Sequence, residues 1–386
     1  RFLSQNHAAL VPYTPGEQPQ AERLIKLNTN ENPYPPSPRV KDAIDSYVCT
    51  HVEKLGLYPD PASEKLRESI AEMLNHSGGV LSNAFKNGDG DYSLISYVDD
   101  NIPFRVSKDM IFCGNGSDEV LSLVYYTFFN SGETVIVPRY TYSFYPVYAG
   151  YYGVPLDSVS LKEDWSLDTV QMTADAIKYN APTIFANPNA PTGIGLSREG
   201  VRQMLEKCPK DKVFIVDEAY VDFGGQSCIP LLKEFPNLVI VRTFSKSMSL
   251  AGLRLGYVVA NPDVIRALFT VKNSFNHFPV DVLAQIAGET SCRDCAYYAK
   301  NAKKIVAERE SFSTFLRERG FFVIPSSTNF VFAKKDGKKG EDLYKAIKEK
   351  GILVRHFATA GIEDFLRITI GTEEQMNALK DAMQNM

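Results

Sequence analysis

The sequence predicts an α/β protein with a large, mostly parallel sheet sandwiched between helices and a smaller α+β domain. Two observations predict this architecture. Short strands that are apolar throughout alternate with helical patterns up to about residue 260, which is typical of a parallel sheet covered on both faces. After Pro279 the pattern changes to a long charged helical stretch that is followed by further strands and helices.

The predicted elements of the large domain follow in chain order. The first 40 residues are rich in proline and predict an irregular arm that lies on another part of the assembly. A helix starts near residue 62, and the Gly- and Asn-rich residues 77–107 predict an inserted loop or hairpin. Strands are then expected at 110–113, 134–137, 183–186, 213–216, 238–241 and 256–260, with helices at 118–129, 168–179 and 197–208.

The predicted small domain begins with a helical stretch over residues 281–318. Strands are expected at 321–324, 329–333, 352–355 and 365–370, and helices near 340–350 and 373–384. We therefore divide the chain into an arm and part of the small domain (1–40), a large domain (41–280) and a small C-terminal domain (281–386).

Composition excludes several classes of function. The 386 residues carry a net charge of −4, and 44% of them are hydrophobic. A slightly acidic chain without a basic patch argues against nucleic-acid binding. No apolar stretch approaches the ~20 residues of a membrane helix, and the first residues lack the apolar core of a signal peptide. We therefore expect a cytoplasmic protein.

The cysteines and histidines predict neither a disulfide framework nor a metal site. Six cysteines are scattered along the chain, and Cys292 and Cys295 form a C-x-x-C inside the predicted helical stretch. A zinc site would need further ligands at a matching spacing, and none follows. We interpret both thiols as exposed or partly buried.

Polar residues follow several predicted strands, at the edge where open α/β sheets bind ligands. A Gly-Asn-Gly-Ser-Asp turn (114–118) opens a helix, and free amides at a helix start favour phosphate. Asp217 and then Lys246 follow two later strands. A desolvated lysine becomes a nucleophilic amine. Together these residues suit pyridoxal 5'-phosphate, which needs a lysine for its Schiff base, a carboxylate for its ring nitrogen and a cradle for its phosphate.

Nearly the whole chain, from the block at 27–33 to that at 365–371, resembles the fold-type I aminotransferases, whose members depend on pyridoxal phosphate. Within them it is most similar to the histidinol-phosphate aminotransferases. The most specific block is TFSKSMSLAGLRLGY at 243–257, with DEAY at 217–220. The resemblance implies transamination of histidinol phosphate with 2-oxoglutarate, giving imidazole acetol phosphate and L-glutamate in histidine biosynthesis.

The resemblance also implies roles for individual residues. Lys246 would form the Schiff base and move the proton, and Asp217 would keep the ring nitrogen protonated. Tyr220 and Asn189 would hydrogen-bond the phenolic oxygen of the ring, and Tyr142 would stack on it. The residues that would hold the cofactor phosphate are Gly116, Ser117, Asp118, Thr243, Ser245 and Arg254.

The resemblance extends to the partner subunit and the substrates. Tyr58 would reach the cofactor phosphate of a neighbouring subunit, which implies a homodimer with shared active sites. Arg355 and Arg367 would bind the anionic end of a small-molecule substrate. Tyr13 and Asn30 are further candidates for lining the substrate pocket.

Two departures from the family leave alternatives open. The loop reads Asn-Ala-Pro-Thr-Gly where the family has Asn-Asn-Pro-Thr-Gly, so either Asn189 or Ala190 lies nearest the ring. The stretch 77–107 is longer than the family pattern. Two alternative activities stay open: threonine-phosphate decarboxylase, a close relative that shares nearly all of these motifs, and a broad aromatic amino-acid aminotransferase, with which the Phe- and Tyr-rich composition is compatible. A non-enzymatic regulator that binds the cofactor would carry a DNA-binding module, for which the N-terminus is too short and irregular.

Overall fold

The computed structural model describes residues 24–76, 105–384 and Met386, and before residue 24 only Phe2, His7, residues 10–13 and Glu17. Most of the predicted insertion at 77–107 lies outside the described residues. The division into three parts at residues 40 and 280 stays a prediction.

A seven-stranded sheet forms the centre of the large domain. Its strands are β2 (Ile111–Asn115), β3 (Val135–Pro138), β4 (Leu156–Val159), β5 (Thr183–Ala186), β6 (Phe214–Asp217), β7 (Leu238–Thr243) and β8 (Leu255–Ala260), in the spatial order β2-β8-β7-β6-β5-β3-β4. β8 runs antiparallel to both of its neighbours, β2 and β7, whereas the pairs among β7, β6, β5, β3 and β4 are parallel. The sequence analysis did not predict β4, an edge strand of four residues, of which two are half-buried and two, Asp157 and Ser158, are polar.

Both faces of this sheet are covered. Along β5 and β6, Phe185, Phe214 and Val216 belong to one apolar cluster, whereas Ile184 and Ile215 belong to another. Successive side chains of a strand point to opposite faces, so two clusters mean two covered faces. The helices of this part are α1 (Pro38–His51), α2 (Glu64–His76), α3 (Gly116–Phe128), α4 (Tyr145–Tyr152), α5 (Thr169–Tyr179), α6 (Arg198–Lys207) and α7 (Pro262–Phe275).

The C-terminal part is a four-stranded antiparallel sheet packed with helices. Its strands are β9 (Phe321–Ile324), β10 (Phe330–Lys335), β12 (Arg355–His356) and β13 (Leu366–Thr369), in the order β12-β13-β10-β9. Its helices are α8 (Val282–Cys292), α9 (Cys295–Glu318), α10 (Gly340–Glu349) and α11 (Glu373–Met383). None of the described helices is both long and apolar enough to cross a bilayer.

The N-terminal segment pairs with this C-terminal part. The short strand β1 (Ile25–Lys26) runs parallel to β11 (Ile352–Leu353). The strand predicted at 352–355 is therefore split between two sheets. Its second half, β12, pairs with β13 and places Arg355 directly opposite Arg367.

The helical stretch predicted over 281–318 is broken, which corrects the interpretation of the C-x-x-C. Cys292 ends α8 and Cys295 starts α9, so the pair lies at the break rather than inside one helix. Cys292 is buried, and this burial raises the pKa of its thiol well above the usual value.

Candidate active site

A cavity of about 340 Å³ lies at the carboxyl ends of β5, β6 and β7, which is the edge that the sequence predicts. We call it the first cavity. The fold brings nine of the predicted residues to its wall: Ser117, Asp118, Tyr142, Asp217, Tyr220, Thr243, Ser245, Lys246 and Arg254.

Asp217 ends β6 and is only 4% exposed. The hydroxyl of Tyr145 donates to its Oδ2 at 3.0 Å, and the backbone N–H of Ala219 donates to its Oδ1 at 3.1 Å. Burial raises the pKa of Asp217 to about 6; these two hydrogen bonds oppose the rise, and the negative charges of Asp118 and Glu218 add to it. A buried carboxylate whose hydrogen-bond donors are neutral is well suited to pair with a cationic ligand.

Lys246 follows β7 and lines the first cavity. Its Nζ donates to the carbonyl of Thr29 at 3.4 Å and lies 5.6 Å from the centre of the Tyr220 ring. The side chain of Asn32 donates to the carbonyl of Lys246 at 3.0 Å. The N-terminal segment therefore helps to fix both ends of this lysine.

A buried ion pair fixes the backbone beside Lys246. Arg242 is 4% exposed and donates to Asp222 Oδ1 at 2.7 Å. The other oxygen of Asp222 accepts the hydroxyl of Ser247, the residue that follows the lysine. Breaking a buried pair leaves an uncompensated charge, so this arrangement holds the turn firmly.

Tyr220 is oriented by Asn30. The side-chain amide of Asn30 donates to the Tyr220 hydroxyl at 2.9 Å. Asn30 has a left-handed backbone (φ 56°) and is itself held by Thr369, which accepts from the backbone N–H of Asn30 and donates to its side-chain oxygen. Because Asn30 occupies a lone pair of the phenol, the O–H proton of Tyr220 is left to donate elsewhere.

The start of α3 and Arg254 form an anion cradle. Ser117 lies in the first turn of α3, where the helix presents free N–H groups and a partial positive charge. Arg254 approaches this turn and donates to Asp118 Oδ2 at 2.7 Å. Asp118 also accepts the Tyr142 hydroxyl at 2.8 Å, which ties the cradle to the aromatic wall.

Replacing Gly116 with alanine is expected to weaken this cradle. Gly116 has φ +78°, and a Cβ there would lie 2.5 Å from Arg254 Nη2. The affinity for pyridoxal phosphate, measured by equilibrium dialysis, should fall by at least about tenfold because Arg254 must move. Gly132→Ala is the matched control, since φ is +85° but a Cβ would meet nothing within 4 Å. Equal affinities in the two variants would contradict the cradle.

A second cavity, of about 150 Å³, adjoins the first and shares Tyr142, Tyr220 and Lys246 with it. Arg355 and Arg367 line it, as do Tyr13, Asn30 and Phe357. The two arginines face each other across the β12–β13 pair. Burial and the charge of Arg355 lower the pKa of Arg367, and its Nε is buried without a hydrogen-bond partner among the described residues. Two like charges opposite each other favour a bound anion.

The structure resolves the alternative in the loop after β5. Ala190 lines both cavities. Asn189, 1% exposed, is absent from both described walls; its side-chain N–H groups donate to the Tyr140 carbonyl at 2.8 Å and to the Thr192 hydroxyl at 3.0 Å. The expectation that Asn189 contacts the ring is therefore corrected: its amide is turned into the loop, and Ala190 borders the cavity.

Tyr58 lies apart from the described walls of both cavities in this single chain. It is 81% exposed and stacks on Phe278 with ring centroids 4.5 Å apart. Its role toward a neighbouring subunit stays a prediction.

Sequence reasoning missed several wall and support residues. Thr29 and Glu31 line the first cavity, and Phe357 lines the second. Tyr145 contacts Asp217 from behind. The tyrosine-rich stretch after β3 was the available signal for Tyr145, but it contains several tyrosines and nothing in the sequence distinguishes them.

The comparisons with known proteins agree with this geometry. The sequence matches the family "Aminotransferase class I and II" over residues 22–383. It is 43% identical to a histidinol-phosphate aminotransferase of Syntrophus aciditrophicus, covering 100% of this chain and 98% of the relative, and 42% identical to one of Chromohalobacter salexigens with the same coverage.

A solved structure has the same fold. The histidinol-phosphate aminotransferase of Sinorhizobium meliloti, solved in complex with pyridoxal-5'-phosphate, matches with a TM-score of 0.77 and 24% identity, over 94% of this chain and 90% of that one. The predicted fold class is thereby confirmed. From the family match and the full-length relatives it follows that this chain is a member of the class I and II aminotransferases.

Proposed function

We propose that this chain is a pyridoxal-phosphate-dependent aminotransferase that takes the amino group of histidinol phosphate and passes it to 2-oxoglutarate, giving imidazole acetol phosphate and L-glutamate. The observation that carries the proposal is the arginine pair in the second cavity, which adjoins Lys246. The names of the full-length relatives support the choice of substrate.

The residues of the first cavity fit pyridoxal phosphate. Gly116 leaves room for Arg254 at the start of α3, and this cradle suits a phosphate. Asp217 offers a buried carboxylate to a cationic ring nitrogen, and Tyr220 retains a proton for an oxygen acceptor. When bound, the cofactor supplies an electron sink for the electrons of a bond at the substrate α-carbon.

Different residues of the chain then have different roles in the reaction. Lys246 lines both cavities, so its amine can hold the cofactor in the first and move a proton at the substrate α-carbon in the second. Asp217 stabilises positive charge at the ring nitrogen. Arg355 and Arg367 bind the anionic end of the substrate and orient it, since guanidinium groups bind oxyanions bidentately. A phosphate monoester offers two charges to these two cations.

Product analysis tests the proposal. Purified protein incubated with histidinol phosphate and 2-oxoglutarate is expected to form glutamate. O-Phosphothreonine and phenylalanine, offered separately, test the two rival reactions. Carbon dioxide released from O-phosphothreonine, with no glutamate formed from histidinol phosphate, would favour threonine-phosphate decarboxylase and contradict the proposal.

Replacing Arg367 with glutamine is expected to raise KM for histidinol phosphate by roughly 10–100-fold, because a hydrogen bond to a charged group contributes about 1.5–3 kcal/mol. The value of kcat should change only a few-fold, since the contact exists before the chemical step. Arg266→Gln, an exposed arginine of α7, is the control. An unchanged KM in the Arg367 variant would place the substrate anion elsewhere.

We also propose a homodimer in which Tyr58 serves the partner's active site. Its support is the exposed apolar surface around this residue, since Leu55 and Leu57 are also exposed. Large exposed apolar patches mark protein contacts.

A further inference from the structure

Tyr145 is a buried residue that contacts Asp217 of the candidate active site. It is fully buried at the first position of α4, and its hydroxyl donates to Asp217 Oδ2 at 3.0 Å. The walls of the two cavities, as far as the chain is described, do not include it. Tyr145 therefore contacts the described cavity walls through Asp217 and through the ring of Tyr142.

The position of Tyr145 is fixed independently of Asp217. Its backbone N–H donates to the carbonyl of Tyr142 at 3.1 Å, and its ring packs edge-on against the Tyr142 ring at 5.5 Å. Burial and the nearby Asp217 raise the pKa of the Tyr145 phenol well above its usual value. The hydroxyl is therefore protonated at neutral pH and can donate to Asp217.

We propose that Tyr145 is a positioning residue, whose hydroxyl fixes the orientation of the Asp217 carboxylate and stabilises its ionised form for pairing with the cationic ring nitrogen. The inference rests on the proposed function, because it takes Asp217 as the partner of the cofactor. With Tyr145 on one oxygen and Ala219 on the other, each oxygen has one donor and can accept another from the cavity.

The groups around Asp217 have opposing effects on the pKa of its carboxyl group. Besides burial, the negative charges of Asp118 from α3 and of the adjacent Glu218 raise the pKa of Asp217. Nearby arginines partly offset both negative charges: Asp118 pairs with Arg254, and Glu218 lies 3.7 Å from Arg242. The neighbouring phenols of Tyr142 and Tyr148 stay neutral because their pKa values are raised. The Tyr145 hydroxyl and the Ala219 N–H lower the pKa of Asp217.

The test is the pH dependence of cofactor binding by the apoprotein. The dissociation constant for pyridoxal phosphate is measured by equilibrium dialysis from pH 5 to 9 in the wild type and in Tyr145→Phe. Binding should weaken at low pH as Asp217 takes up a proton. In Tyr145→Phe the midpoint of this loss is expected about 1 pH unit higher, because the carboxylate has lost a hydrogen bond. Titration of the cofactor itself is common to both proteins and cancels.

Two buried tyrosines provide matched controls. Tyr148, on the same helix, donates to the backbone carbonyl of Asp118 at 2.9 Å, and the Tyr125 hydroxyl is buried without a partner among the described residues. Tyr148→Phe and Tyr125→Phe each remove one buried tyrosine hydroxyl but leave in place both hydrogen bonds that Asp217 accepts, from Tyr145 and Ala219. Both should keep the wild-type midpoint, which separates the proposed effect from general destabilisation.

A double-variant cycle provides a second measurement. In Asp217→Asn the charge that Tyr145 stabilises is gone, so adding Tyr145→Phe should change the affinity by less than about twofold. If Tyr145→Phe loses cofactor binding at the same pH midpoint as the wild type, the inference is overturned and the proposed function is unaffected. A wild-type protein that does not bind pyridoxal phosphate would overturn the proposed function, and the inference with it.

Discussion

Lys246→Ala is expected to reduce transamination by a factor on the order of 10⁵. The amine of Lys246 lines both cavities, so one substitution removes the group that we propose both to hold the cofactor and to move the proton. Glutamate formation from histidinol phosphate and 2-oxoglutarate measures the effect. The fold should survive, because the side chain makes one long hydrogen bond, to the carbonyl of Thr29.

The control and a complementation test sharpen this prediction. Lys345→Ala, an exposed lysine of α10, should keep wild-type activity. If active sites are shared, mixing Lys246→Ala with Tyr58→Ala subunits should restore activity above that of either variant alone, since one site of each mixed dimer has both residues. Wild-type turnover by Lys246→Ala would contradict the mechanism, and a mixture no more active than its components would contradict shared sites.

Asp217→Asn is expected to lower kcat by about 10²–10³-fold, the usual effect of removing one electrostatic contact in a dry active site. The amide has nearly the same shape as the carboxylate but carries no charge, so it cannot stabilise a cationic ring nitrogen. The steady-state rate with saturating histidinol phosphate measures the loss. A decrease of less than about threefold would show that Asp217 has no such electrostatic role.

The same substitution is expected to stabilise the apoprotein at pH 8. Burial raises the pKa of Asp217 from 3.8 to about 6, so the carboxyl group contributes stability below pH 4 that is lost as the pH rises through 6. At about 1.4 kcal/mol per pH unit, the buried charge costs on the order of 3 kcal/mol. Asp217→Asn avoids this cost. Denaturant unfolding should show the difference at pH 8 and a smaller one at pH 5.

Opposite effects on rate and stability separate a functional residue from a structural one. A residue that only supports the fold loses stability when it is replaced, and its activity falls with it. Asp217→Asn with lower activity and lower apoprotein stability at pH 8 would therefore contradict the buried-charge account.

The features that the sequence predicts well are carried by local signals. The strand β6 is a short apolar run, and Asp217 is its last residue. Since parallel strands end at one edge of the sheet, a list of the polar residues after each strand already locates most of the first cavity. The block around Lys246 adds an identification that local physics alone does not supply.

The features that could not be predicted from the sequence depend on contacts between residues far apart in the chain, on the orientation of a single side chain, or on where a helix breaks. The hydrogen bond from Asn30 to Tyr220 joins residues 190 positions apart. The turn of the Asn189 side chain into its loop, which leaves Ala190 on the cavity wall, depends on the carbonyl of Tyr140. The break between α8 and α9 occurs at Arg293 and Asp294, which are compatible with a continuous helix.

The most direct test of the central claim is an absorbance spectrum of the purified protein with pyridoxal phosphate, recorded before and after adding histidinol phosphate without any 2-oxo acid. We expect a visible band from the cofactor bound to Lys246, and we expect the spectrum of the aminated cofactor to replace it when the donor is added. A band that does not change with histidinol phosphate but changes with glutamate would contradict histidinol phosphate as the amino donor. It would still support an aminotransferase. The absence of any such band would contradict the binding of pyridoxal phosphate to Lys246 and the transamination that depends on it.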